Sequence, residues 1–271
     1  ETDVGLIKTD SEGNQIWINN FGNGTSGNHL HDIGYSVQQT NDGGYIISGR
    51  FQFNFGSICL IKTNSNGEEE WSQFWSYNCN TEGYSVKQTS DNGFIVLGTT
   101  WDTGCGRKTI IIIKTDDNGN EIWSRTLGEE DNEWEYGYHV DETVDGGFII
   151  TGKKDDNVYL VKTDSEGFIE WDRSFDGREG RDVIQTEDEG FVVLGTTSGN
   201  LDIFLRKTDN IGNTLWYKTY GGTDGEWGYS MDQTNDGGFI ITGVHGGYEE
   251  NDQNILLIKT DSEGNTEPFI Y

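Results

Sequence analysis

Proline is almost missing from this chain, with one residue in 271. Cysteine is nearly as scarce, at three, and basic residues number 18 against 47 acidic ones. Each shortage excludes something. Cys59, Cys79 and Cys105 allow at most one disulfide within the chain, and they show no CxxC pair and no zinc-ligand spacing. A formal charge of -29 repels nucleic-acid phosphates and anionic lipid, so neither is expected as a partner. No apolar run approaches the roughly 20 residues that span a bilayer, so membrane insertion is not expected. There is no nucleophile–base arrangement, phosphate loop or dinucleotide fingerprint; the Gly-rich GNGTSG of residues 22–27 has no Lys and opens no helix.

Glycine is abundant, at 39 residues, and the 9 Trp, 12 Tyr and 13 Phe make the chain too aromatic for a disordered acidic polymer. The glycines mark two interleaved phrases. The first, GYSVQQTNDGGYIISG, starts at Gly34 and recurs from Gly83, Gly137, Gly180 and Gly228. It reads as strand, tight turn, strand, with Asp-Gly and Asn-Gly supplying the positive φ of hairpin turns. The second, LIKTDSEGNQIW, recurs around Lys8, Lys62, Lys114, Lys162, Lys207 and Lys259. Two hairpins per period of about 50 residues predict units of four antiparallel strands, the pattern of β-propeller blades.

The spacing within each phrase is fixed. The first Gly and the last Gly of the turn stand ten residues apart in all five copies, as in Gly34 and Gly44. Lys and Trp stand nine apart in five copies, and Pro268 takes the Trp place in the sixth. All length variation falls in the connections between phrases, which antiparallel pairing places at the other end of each blade from the turns. That variable side is the expected place for function. The expected architecture is one all-β propeller domain over residues 1–271. It has a half-blade at about 3–20 and five full blades starting near 34, 83, 137, 180 and 228. The count favours a six-fold ring with an incomplete first blade, with a five-bladed ring as the alternative.

KTD-x-x-GN-x-x-W alternating with T-x-DGG-[FY]-I-[IV]-x-G resembles the propeller repeats of secreted and surface-attached bacterial and archaeal proteins. The resemblance covers essentially the whole chain. It implies an extracellular or cell-surface location and no single function. The first expectation is a non-enzymatic structural or interaction role, with other copies or surface proteins as partners. Self-assembly by strand addition at the incomplete blade belongs to that expectation. The alternatives are a carbohydrate-binding propeller and, third, a propeller hydrolase or lyase.

Residues outside the repeated positions are the candidates for function. Trp75, Trp101, Trp134, Trp227 and Tyr248 fall on the variable side and are the ligand-binding candidates, suited to stacking sugar rings or to roofing the blades. His29, His31 and Asp32 form an H-x-H-D cluster in the longest connection, with His245 on the same side; they are candidate metal ligands, more readily explained as loop residues. His139 reads as a strand residue. The acidic Gly turns resemble fragments of calcium loops but are too short, so no cofactor is expected beyond a secondary possibility of Ca2+. Cys79 and Cys105 flank one blade on its variable side and are the expected disulfide; Cys59 is expected to be a buried free thiol. Asn23 opens a glycosylation sequon. The repeated Lys and Trp are expected to be structural, as ion-pair partners and packing anchors.

Overall fold

The computed structural model describes residues 3–22, 31–52, 56–77, 80–101, 106–128, 134–246 and 254–266. The chain divides into two compact units, Glu1–Asn132 and Glu133–Tyr271. The first holds a hairpin, β1 (Val4–Thr9) and β2 (Gln15–Phe21), and two blades. Blade one is β3 (Ile33–Gln39), β4 (Tyr45–Gln52), β5 (Gly56–Thr63) and β6 (Glu69–Trp75). Blade two is β7 (Glu82–Gln88), β8 (Phe94–Trp101), β9 (Lys108–Thr115) and β10 (Glu121–Leu127).

The second unit holds three blades. Blade three is β11 (Glu135–Glu142), β12 (Phe148–Lys154), β13 (Asn157–Thr163) and β14 (Ile169–Asp176). Blade four is β15 (Glu179–Gln185), β16 (Phe191–Thr196), β17 (Ile203–Thr208) and β18 (Thr214–Tyr220). Blade five has three strands among the described residues, β19 (Glu226–Gln233), β20 (Phe239–His245) and β21 (Asn254–Thr260).

The fold is therefore all-β, with five blades built as antiparallel meanders of the two repeated hairpins. The favoured six-fold ring is not supported. It rested on counting the first hairpin as half a blade, and among the described residues β1 and β2 pair only with each other.

The middle strands of the full blades are buried on both faces, as runs such as ICLI and IIII require. The reason is face-to-face stacking. The back of the hairpin (Val4, Leu6, Phe21) packs on the front of blade one (Ile47, Cys59, Ile61). The back of blade one (Ile46, Ile58, Leu60) packs on the front of blade two (Val86, Phe94, Val96). Blades three and four, and four and five, repeat the junction. Burying one such side chain contributes about 1.5–3 kcal/mol, so stacking is what holds each unit together.

Each junction is latched by a repeated Trp. A Cβ added to Gly67 would lie 2.6 Å from the ring of Trp17, so that ring lies directly against the glycine. Trp71 covers Gly119, Trp171 covers Gly212 and Trp216 covers Gly264 in the same way. These turn glycines have φ between +75° and +84°. Glycine is thus required twice there, by the left-handed backbone and by the ring above it.

Candidate functional site

The turn end of every blade carries one repeated ion pair. Lys62 is buried, and its Nζ donates to Asp42 Oδ2 (2.7 Å), Glu70 Oε2 (2.9 Å) and the Thr63 carbonyl (2.9 Å). Lys114–Asp91, Lys162–Asp145, Lys207–Asp188 and Lys259–Asp236 repeat the pair at 2.6–2.9 Å. Partial burial raises the Asp42 carboxyl, but Lys62, Thr40 and the Gly44 amide outweigh it and hold the group at about 2. Asp145 is held at about 2 by a similar balance, and Asp188 by Lys207 and Thr186. The second hairpin's turns cap themselves: Asp10 Oδ1 accepts the amides of Glu12 and Asn14 at 2.9 and 2.8 Å. These carboxylates serve the repeat, as the sequence led us to expect for the lysines.

The other end of the blades holds a pattern that the sequence reading passed over. An acidic residue precedes the Gly of each first phrase by one or two positions: Asp32, Glu82, Glu135, Glu179 and Glu226. Four of these are buried, and Glu82 is half-buried. Each has a local partner. Asp32 accepts the Gln52 amide (2.8 Å), and Glu82 pairs with Arg50 (2.8 Å). Glu135 pairs with Lys154 (3.3 Å), Glu179 with Arg181 (2.5 Å) and Glu226 with His245 (2.7 Å). The next positions carry a β-bulge in every blade, leaving Tyr35, Tyr84, Tyr138, Arg181 and Tyr229 as the extra residue.

In blades three to five the repeats depart from their own GYSV wording, as GYHV, GRDV and GYSM. The Arg181 guanidinium lies 4.4 Å from the Tyr138 ring centre and 6.0 Å from that of Tyr229. Burial, with Glu179 next, pushes the Tyr138 hydroxyl well above its ordinary range. Beneath them His139 Nδ1 lies 3.0 Å from Asp182 Oδ1. Asp182 Oδ2 accepts from Ser230 Oγ (3.2 Å) and the Met231 amide (2.8 Å). Ser, His and Asp thus meet, but the carboxylate stands in the middle. The serine hydroxyl is bonded to the acid and not to the imidazole, so this order does not set up a serine nucleophile. The group stitches neighbouring inner strands, as Ser36 Oγ does by accepting the Val86 amide at 3.3 Å in blade one.

The ligand candidates are dispersed into local roles. Trp75 donates through Nε1 to Glu121 Oε2 (2.8 Å). Trp101 lies under Lys108, 5.4 Å from its ring centre, and helps line a cavity of about 60 Å³ with Asn80, Glu82 and Thr99. That space suits water, not a sugar ring. Trp227 carries the Arg178 guanidinium at 4.9 Å. Trp134 is 40% exposed and is the most open of the four. Asp32 is engaged as described, His31 is exposed, and His245 is bonded to Glu226. Among the described residues no three His, Cys, Asp or Glu side chains are grouped to hold a metal. Asn23, His29, Cys79, Cys105 and Tyr248 lie outside the described residues. Cys59 is buried, and burial, with Asp32 adding, pushes its thiol up to about 12.

A polar cleft of about 700 Å³ separates the first-hairpin turns of blades four and five, lined by Glu187, Asp188, Gln233, Asn235 and Asp236. At two other junctions a Gln of the next blade accepts the turn amide, Gln88 from Asn41 and Gln185 from Val144, at 2.8 and 2.9 Å. Gln233 instead turns to its own Gly237 carbonyl at 3.4 Å.

The chemically unsatisfied surface is apolar. The back of blade five, where another blade would stack by the rule of the other junctions, bears Ile255 (91% exposed) and Leu257 (58%). The front of the hairpin bears Ile7 (58%), paired with the exposed Ile18. Gly13, the counterpart of the Trp-covered glycines, has no atom within 4 Å of an added Cβ.

No family model matches the chain, and no curated protein matches it in sequence. It is similar in structure to a Bacteroides caccae protein of unknown function, at 12% identity and a TM-score of 0.65, over 97% of this chain and 91% of that one. It is also similar to the Dos1 propeller, at 12% identity and a TM-score of 0.58, over 97% of this chain and 62% of that one. The WD40 β-propeller domain of Doa1 matches 88% of this chain and 69% of its own length at 15% identity, with a TM-score of 0.56. At these identities the likeness concerns the fold alone, and that fold is the β-propeller.

Proposed function

We propose that the chain is a non-enzymatic interaction module of an extracellular or cell-surface protein, working through sheet surfaces that its own blades leave uncovered. One observation carries this reading: Ile255 and Leu257 stand exposed on a face whose counterparts in blades one, three and four are buried by the next blade. Contiguous exposed apolar surface marks a docking site more often than a catalytic one. The polar groups support the same reading, because the Lys–Asp pairs and the His139–Asp182–Ser230 group are taken up in holding strands together. The extracellular location is supported by the resemblance of the repeats.

A photo-cross-linker placed at position 7 or 257 in producing cells tests it. Adducts at these positions, with none from the exposed turn position Asn118, are the expected result. No adduct at either face contradicts the reading. Glycan binding is the second reading, favoured by exposed Trp134. It requires saturable binding on a glycan array that Trp134→Ala abolishes.

A further inference from the structure

We propose that the free edge of β1 is an acceptor for a β-hairpin of the first-phrase type, T-x-D-G-G with an apolar exit strand, donated by another polypeptide. The inference rests on the interaction reading and names the partner's chemistry.

Two observations bear on that edge, and a third on the sheet face beside it. In every full blade and in blade five, the Lys-bearing strand pairs on one side with the exit strand of a first-phrase hairpin, always in one register. Ile46 faces Lys62, Ile95 faces Lys114, Ile149 faces Lys162, Val192 faces Lys207 and Ile240 faces Lys259. β1 bears Lys8 at the same place, and among the described residues its only pairing is with β2.

The second observation is electrostatic. Five of the six repeated lysines hold the turn Asp of that neighbouring hairpin at 2.6–2.9 Å. Among the described residues Lys8 has no carboxylate partner; its Nζ rests 5.5 Å from the Tyr45 ring centre. An ammonium already positioned by its strand, in a chain of charge -29, is a ready partner for one incoming Asp.

The third is steric. Ile7, on the front of the hairpin, is exposed and Gly13 has no atom within 4 Å of an added Cβ, so no described residue covers the front of the sheet that an incoming hairpin would extend. An unpaired strand with apolar side chains recruits backbone partners, and a flanking charge selects among them. A hairpin seated in the repeat register would complete a four-stranded sheet, with its Asp at Lys8 and its exit strand against Val4–Thr9.

The test uses a fluorescent synthetic peptide of residues 34–52, the chain's own first-phrase hairpin, titrated with the purified chain by fluorescence anisotropy. Saturable binding is expected. Asp42→Asn in the peptide, or Lys8→Met in the chain, should each weaken it about tenfold, and the two together no further. Unchanged thermal unfolding of the Lys8→Met chain confirms that its fold is intact. Absence of saturable binding overturns the proposal, as does binding indifferent to both substitutions. Stabilisation only when the hairpin is fused ahead of Glu1, with no binding in trans, assigns the strands to the same polypeptide and also overturns it. Cross-linking at position 257 that persists when the peptide fails removes this inference and leaves the interaction reading standing.

Discussion

Placing alanine at four turn glycines separates two costs that the repeat normally combines. Gly43, Gly146, Gly119 and Gly67 all have φ between +77° and +84°. An L-residue there costs about 1–2 kcal/mol for the left-handed backbone alone. At Gly43 and Gly146 a new Cβ meets nothing within 4 Å, so Gly43→Ala and Gly146→Ala should cost that much and no more. At Gly119 the methyl would lie 2.5 Å from the Trp71 ring, and at Gly67 2.6 Å from Trp17. The ring must move, adding about 1–3 kcal/mol of overpacking. Gly119→Ala and Gly67→Ala should therefore lose about 2–5 kcal/mol, two to three times the loss at the open turns. Urea unfolding followed by Trp fluorescence measures all four. Equal losses at covered and open turns would refute the Trp latch as the means by which one blade grips the next.

Four further predictions test other features. Glu189 holds φ +63° where three copies of the turn have Gly, so Glu189→Gly should stabilise the chain by about 1 kcal/mol in the same assay. Asp42, Asp145 and Asp188 are held at about 2, below the ordinary 3.8. Their folded pKa values are depressed, so their contribution is present above about pH 4 and is lost as pH falls through about 2. All three are more than half exposed, which screens each contribution to about 1 kcal/mol or less. Wild type should lose this increment below pH 4, and a chain with all three changed to Asn should not. Cys59, buried and with its thiol pushed up to about 12, should resist alkylation in the folded chain and react only on unfolding. If Cys79 and Cys105 are joined, intact mass will show one alkylated thiol after unfolding without reductant and three with it.

Much of the fold was legible because the two phrases never change length. Fixed spacing sets register, and register sets which face each side chain takes. Lys62 and its equivalents could be read as structural because a Lys stands at one place in six units, whereas its partner Asp lies 17 to 23 residues earlier and could not be picked out by a fixed spacing. The binding residues were harder. Trp75 and Trp101 stand outside the repeats, which is a sound signal of special use. Both close a strand, β6 and β8, rather than standing in a loop, and there nearby polar side chains, Glu121 and Lys108, take them. The acid before each GYSV was visible but went unread, since its place shifts by one residue between copies. The bulge that follows each acid was not legible, because alternation along the strand looks unbroken there. The uncovered back of blade five could not be seen at all. Residues 254–258 read NILLI, as buried strands elsewhere do, and exposure depends on whether a neighbour is present.

That face is the heart of the account, and one pair of substitutions addresses it directly. Ile255 and Ile203 occupy the same repeat position, four residues before Lys259 and Lys207; Ile203 is fully buried and Ile255 is 91% exposed. The unfolding free energies of Ile255→Thr and Ile203→Thr should be measured side by side in the purified chain. The account predicts a loss of about 2–4 kcal/mol at Ile203 and no more than about 0.5 kcal/mol at Ile255. Equal losses would mean that the back of blade five is covered within the folded chain and is not available to a partner.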